Sequence, residues 1–203
     1  PVPVTRVPLS MGQRIDIMVA VPHGASAWPI IAQREGAVER TGIILATRHA
    51  SIHKISSVAR HAAPALTLSL EHKIRAKTPL ENRAVDVTHH LNLTGSMKNY
   101  TWSINNKIYG DHTLVKVRAG QRVALEFINQ SMMAHPMHLH GHAFQVTAIN
   151  GRAIQGAVRD TVLVPMGAKV RVEFDANNTG RWPLHCHNLM HMASGMMTEL
   201  VYE

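Results

Sequence analysis

The sequence predicts an all-β fold, a Greek-key sandwich or barrel, on three observations. Short segments alternate apolar and polar residues, turn-forming dipeptides recur between them, and no long stretch carries the period of an amphipathic helix. Arg14-Ile15-Asp16-Ile17-Met18-Val19 alternates as a half-buried strand does. Ile43-Ile44-Leu45-Ala46 continues the β character after turns expected at Gly36 and Gly42. Residues 53–80 are less regular, with Pro64 and Pro79 as breakers, and are expected to join one domain to the next. Strands resume at Val85-Asp86-Val87-Thr88 and Tyr100-Thr101-Trp102-Ser103-Ile104, the second closed by a turn at Asn105-Asn106. Val123-Ala124-Leu125-Glu126-Phe127 alternates cleanly. Phe144-Gln145-Val146-Thr147-Ala148-Ile149 runs into Asn150-Gly151, a strong hairpin signal. Val162-Leu163-Val164 turns through Pro165-Met166-Gly167 into Val170-Arg171-Val172-Glu173-Phe174, and Glu199-Leu200-Val201-Tyr202 closes the chain as a strand.

At 203 residues the chain can hold one large or two small domains. Its 45% hydrophobic and 17% charged residues are those of a globular protein, not a disordered one. No apolar run approaches the roughly 20 residues of a membrane-spanning helix. The formal net charge is +8, but Lys and Arg are scattered and aromatics make up only 4%, so a basic face interleaved with aromatics for nucleic acid is not expected. The single cysteine, Cys186, excludes an intrachain disulfide, and its two flanking histidines favour a thiolate ligand over a packing residue. The chain opens on Pro1 with no signal peptide, as an interior piece of a longer protein would.

Two segments carry the chemistry. Residues 135–142 read His-Pro-Met-His-Leu-His-Gly-His and residues 185–196 read His-Cys-His-Asn-Leu-Met-His-Met-Ala-Ser-Gly-Met. Side chains on extended backbone alternate faces. His185 and His187 therefore point one way and Cys186 the other, while His138 and His140 share one face and His135 takes the opposite one. His191 follows Cys186 by five residues and Met196 by ten, with Gly195 letting the loop fold back. His135, Cys186, His191 and Met196 form a His₂Cys set with a weak axial thioether, the ligands of a blue-copper electron-transfer centre. His138, His140, His185 and His187 form a second set of imidazoles without thiolate, suited to copper that binds and reduces oxygen. The Cys-His dipeptides join the two sets covalently, like a wire.

His-x-x-His-x-His followed by His-Cys-His-x₃-His-x₄-Met resembles the C-terminal copper signature of multicopper oxidases of the laccase and copper-resistance type. The resemblance implies type 1 copper ligands at His135, Cys186, His191 and Met196, a type 2 ligand at His138, and type 3 ligands at His140, His185 and His187. It implies a cupredoxin-like fold with one complete C-terminal domain, residues 85–203. A linker, 63–84, and part of a middle cupredoxin domain, 1–62, would precede it. Leu9-Ser10-Met11-Gly12-Gln13-Arg14-Ile15-Asp16 and Thr41-Gly42-Ile43-Ile44-Leu45 resemble the later part of that middle domain.

Members of the family complete a trinuclear cluster with two further His-x-His motifs from their first domain, and four of the eight cluster ligands are absent here. The expected partner is therefore a missing N-terminal region or a partner subunit that supplies them. The resemblance implies single electrons entering from a small-molecule or metal-ion reductant, with His191 and Cys186 in the transfer path and O₂ reduced to water. It places the electron entry at His191, because type 1 histidine edges tend to face solvent in the family. Bacterial relatives are usually exported, which implies a periplasmic location. Met192 stands where some cuprous oxidases carry an acidic residue, which argues against a proton relay there.

Other readings stand beside these. Zinc also binds Cys and His. As isolated, the chain reads alternatively as a mononuclear blue-copper module without oxidase turnover. Met132, Met133, Met137, Met190 and Met192 suggest a thioether path or copper storage, against ordinary core filling. Met197 reads as core. His142 reads as structural support, and Ser131 and Asn129 as hydrogen-bond partners for the ring of His135 or plain loop residues. His23, His49, His53, His61, His72, His89, His90 and His112 lie outside any ligand spacing and read as surface residues.

Overall fold

The computed structural model describes residues 1–203, and its backbone divides into two compact units. One comprises Asp16–Leu66. The other joins Pro1–Ile15 to Thr67–Glu203.

In the smaller unit, β1 (Ala27–Gln33) and β2 (Arg40–Ala46) form a two-stranded antiparallel ribbon. Gly36 lies in the connection with a positive φ of 67°, as a turn requires. Gly42, expected at a turn, is instead a mid-strand residue opposite Ile31, where a Cβ would press on the partner's backbone. None of the buried apolar side chains belongs to this unit, and Ile43 and Ile52 are largely exposed. The strand expected at Arg14–Val19 does not form. Ile17, Met18 and Val19 are exposed and no second strand pairs with them, so alternation alone leaves the backbone extended but unpartnered.

The larger unit is a β-sandwich. One sheet is built from β3 (Val87–Ser96), β4 (Thr101–Ile104), β6 (Arg122–Asn129), β8 (Phe144–Ile149), β10 (Val158–Arg159) and β12 (Lys169–Asp175), in the order β10-β8-β12-β6-β3-β4, with the short β9 (Arg152–Ala153) on β8. The other sheet orders β11 (Thr161–Val164), β7 (His135–Leu139), β13 (Arg181–Cys186), β14 (Met197–Tyr202) and β5 (Val115–Val117) as β11-β7-β13-β14-β5. Most neighbours are antiparallel, but β3 runs parallel to β6 and β14 to β5, the crossed connections of a Greek key. β12 shows why the sheets close on one core: Val170, Val172 and Phe174 are buried while the residues between them are only half-buried. Trp102, Phe127, Phe144, Phe174, Leu139 and Leu184 fill the space between the layers. Asn150 and Gly151 take positive φ of 50° and 77°, forming the hairpin turn read from the sequence.

The units divide at Ile15/Asp16 and Leu66/Thr67 rather than at the 62/63 and 84/85 boundaries expected from sequence. Specific bonds account for this. Gln13 Nε2 donates to the Thr161 carbonyl (3.4 Å), Ala76 N to the Gly156 carbonyl (3.0 Å) and Leu80 N to Gln145 Oε1 (2.9 Å). Arg159 pairs with Glu71 at 2.6 Å, both side chains nearly buried. Residues 67–84 are thus strapped to the sandwich. The only helix, α1 (Leu189–Ala193), is a single short turn, and no helix is long and apolar enough to cross a membrane.

Candidate metal centres

β7 and β13 lie side by side, and their register puts the two motifs together. His185 pairs with His138 and Cys186 with Met137. Alternation then sends His135 and Cys186 to one face and His138 and His185 to the other, the separation read from the sequence. α1 follows β13 after Asn188, whose side chain caps the helix by accepting from Met190 N at 3.2 Å. His191, the third residue of α1, points back at Cys186.

The first set is compact. His135 Nδ1 lies 3.1 Å from His191 Nδ1, and Cys186 Sγ lies 3.7 Å from the first and 3.8 Å from the second. The point equidistant from these three atoms is about 2.1 Å from each, the length of a metal–imidazole bond and slightly under a metal–thiolate bond. All three side chains are buried. Met196 is buried with them: its carbonyl accepts from Cys186 N (3.1 Å) and its N–H donates to the His191 carbonyl (3.0 Å). Gly195, just before it, takes a φ of +124°, which lets the loop double back. A thiolate and two imidazoles, with Met196 buried and its backbone bonded to both Cys186 and His191, fit copper by donor chemistry.

The second set is looser. His138, His140 and His185 bring a ring nitrogen each within 4.8 Å of one another, with His140 Nε2 and His185 Nε2 only 3.0 Å apart. His138 Nδ1 is engaged by the Asp160 carbonyl (2.8 Å) and Thr161 Oγ1 (3.0 Å), and His185 Nδ1 donates to the Cys186 carbonyl (3.0 Å). Each ring therefore keeps Nε2 for a metal. His187 stands apart from this group of three, its ring 5.6 Å from that of His138 and 5.7 Å from that of His185.

The sequence model of the multicopper oxidase family matches residues 82–203. The chain belongs to the multicopper oxidase family. It is 35% identical to multicopper oxidase MmcO of Mycobacterium tuberculosis over the whole chain, which spans 39% of that protein. It is 37% identical to copper resistance protein A of Escherichia coli over 64% of this chain and 21% of that one. The chain thus spans well under half the length of these relatives. Its fold is similar to that of a laccase variant from B. aclada, with a TM-score of 0.63 and 20% identity over 79% of this chain and 36% of that one.

The electrostatics of these rings favour a metal. Burial, with His191 alongside, holds His135 neutral, its pKa lowered to about 3. Burial also lowers the pKa of His191, His138 and His185, which favours the neutral ring that can donate a lone pair. Burial pushes the Cys186 thiol up to about 12. An incoming metal must therefore displace its proton. Ser131 completes the support of His135. Its hydroxyl hydrogen is spent on Asn129 Oδ1 (2.9 Å) or the Met133 carbonyl (3.2 Å), so its oxygen accepts from His135 Nε2–H at 2.6 Å. That fixes the tautomer which leaves Nδ1 free. Asn129 acts on His135 only through Ser131.

Several residues behave differently from the sequence reading. His191 does not present a ring edge to solvent: it is 1% exposed, with Asn188 Nδ2 3.3 Å from its Nε2. His142, by contrast, does as the sequence reading has it and joins neither set. It bonds the Tyr202 hydroxyl at 2.7 Å and stacks on that ring, a structural role. His112 is not a free surface residue, because it stacks on Tyr109 and faces Glu199 with its side chain 14% exposed. Met137 is buried core, whereas Met132 and Met190 are exposed. Two residues went unread. The indole of Trp102 stacks on His191 with centroids 4.1 Å apart, and Tyr100 stands edge-on to both rings. The available signal was two aromatics of the same strand parity just after Gly95, in a chain with few aromatics.

Proposed function

We propose that the chain is the C-terminal part of a multicopper oxidase that accepts single electrons at a type 1 centre and passes them to half of a trinuclear cluster. The observation that carries the reading is the convergence of His135 Nδ1, His191 Nδ1 and Cys186 Sγ at 3.1–3.8 Å, one residue from His185 on the opposite face of the same strand. His135, Cys186 and His191, with Met196 as the weak fourth donor, would hold copper of the blue type. His138 would hold the type 2 ion and His140, His185 and His187 the type 3 pair, together with ligands from a partner region. Copper held there supplies one-electron exchange at the first set and reduction of dioxygen to water at the second.

The protein's own share is placement. Cys186 and His185 are joined by one peptide unit, and the His185 Nδ1–H to Cys186 carbonyl bond closes a second, shorter path between the sets. Burial keeps water off the thiolate, and Ser131 sets the His135 tautomer. The reductant is a small molecule or metal ion, and an exported, periplasmic setting follows by likeness to copper resistance protein A. We assign residues 16–66 to part of a preceding cupredoxin domain.

The second reading is a mononuclear blue-copper module. Only half the expected trinuclear ligands lie in this chain, which favours that behaviour for the isolated polypeptide. Adding Cu(II) to the purified chain tests both. An intense blue absorption that disappears in Cys186→Ser supports the type 1 assignment, and its absence from the wild type overturns it. Oxygen consumption by the isolated chain would overturn the module reading.

A further inference from the structure

We propose that Trp102 is the positioning residue for His191, holding the imidazole plane so that Nδ1 stays aimed at Cys186 and His135. This rests on the reading of His191 as a type 1 ligand. His191 sits on a helix of one turn, which by itself gives the ring little restraint. Its edge has one side-chain contact from the helix start, Asn188 Nδ2 at 3.3 Å from Nε2, while the Oδ1 of the same side chain caps the helix. That single edge contact leaves the face of the ring to be held.

Trp102 covers that face. The two rings are 29° from parallel at 4.1 Å, and the indole also meets the ring of His135 edge-on at 5.3 Å. A single side chain thus contacts both imidazoles of the set. The indole is 1% exposed, yet its Nε1–H has no hydrogen-bond partner. Buried donors are rarely left unpaired, so the site keeps the ring at a cost.

The surroundings are shaped for the indole. Gly95, across the sheet from Trp102, takes a φ of +148°, and a Cβ there would lie 2.9 Å from Trp102 Cδ2 and 2.6 Å from the Thr101 carbonyl. On the other side a Cβ at Gly195 would lie 2.8 Å from the Trp102 carbonyl. The backbone of β4 and the loop between His191 and Met196 are thereby brought into direct contact. Tyr100 closes the stack from the solvent side, edge-on to Trp102 at 6.3 Å and 6.5 Å from His191. Its positive φ of 47°, unusual for a bulky residue, turns the chain just before β4 so that both rings reach His191.

Core filling and positioning differ in what they require. Filling needs apolar volume; positioning needs a flat face. Trp102→Phe keeps a face and Trp102→Leu keeps only apolar bulk. The chain loaded with Cu(II) is compared across wild type and the two variants by absorption, electron paramagnetic resonance and copper competition titration, with circular dichroism as the check on folding. The expected result is a wild-type-like spectrum for Trp102→Phe. For Trp102→Leu the thiolate absorption and copper hyperfine splitting shift, and copper affinity falls about 10–100-fold. A Trp102→Leu protein that folds with wild-type spectrum and affinity overturns the proposal. A wild type without blue absorption overturns the type 1 reading instead. Should Trp102→Leu fail to fold, Trp102→Met takes its place, and a wild-type spectrum for it is equally fatal. The metal-free protein gives a separate readout: His191 ring-proton resonances shifted upfield by the indole in wild type and Trp102→Phe, and unshifted in Trp102→Leu.

Discussion

His138 and His185 are register partners across β7 and β13, while the next pair along, Met137 and Cys186, faces the opposite way. One strand pair thus presents two chemically different surfaces within a single residue step. Substitutions on the two faces should separate cleanly. His185→Ala is expected to leave the blue absorption of the Cu(II)-loaded chain near its wild-type intensity, and His135→Ala to abolish it. Equal loss in both would mean the two sets do not act as separate sites.

Ser131→Ala should weaken the first set without touching a ligand. It removes the acceptor for His135 Nε2–H, leaving a buried donor unpaired, which costs about 1–3 kcal/mol of folding stability. Copper affinity should also fall about 10–100-fold, because the tautomer is no longer fixed. Urea denaturation and a chelator competition titration read the two effects independently.

Gly12→Ala should disturb His187 from across the unit. Gly12 takes a φ of +78°, and a Cβ there would lie 2.5 Å from His187 Cγ. Left-handed backbone costs a non-glycine residue about 1–2 kcal/mol, to which the displaced imidazole adds. The expected outcome is a lower Tm together with a shifted His187 ring resonance. An unchanged resonance would show that His187 does not rest on residues 10–13.

Acid should loosen the sandwich at a definite place. Arg122 is buried and bonds both oxygens of Asp175, at 2.8 and 3.2 Å, holding that carboxyl below the usual carboxylate range. A depressed folded-state pKa gives stability that is present above the unfolded value, about 3.9, and lost as pH falls through the folded one. Asp175→Asn should therefore flatten the acid limb of the stability curve below about pH 4. At neutral pH it should cost about 0.5–1 kcal/mol, a modest figure because Asp175 is 38% exposed and screened. Denaturant midpoints measured from pH 3 to pH 7 check both parts.

The separation of His135 and Cys186 from His138 and His185 was legible in the sequence because it is local. Alternation is a property of extended backbone, and the structure keeps the backbone extended along His135–Leu139 and Arg181–Cys186, with His140 and His187 just beyond the strand ends. Asn150-Gly151 was legible for a similar reason, since that dipeptide accepts the positive φ of the turn. Arg14–Val19 misled because alternation describes how a strand would present its side chains, not whether another strand is there to bond it. Gly42 misled because glycine serves close backbone approach as readily as turning. The contact of Trp102 with His191 was invisible: it joins residues far apart in the chain through ring geometry, and no spacing encodes that.

The sealing of His191 reaches beyond positioning. A molecule approaching this side of the sandwich meets the half-open ring of Tyr100, not an imidazole edge. The first set is thus closed by a layer of two aromatic rings, with Trp102 1% exposed beneath Tyr100 at 39%.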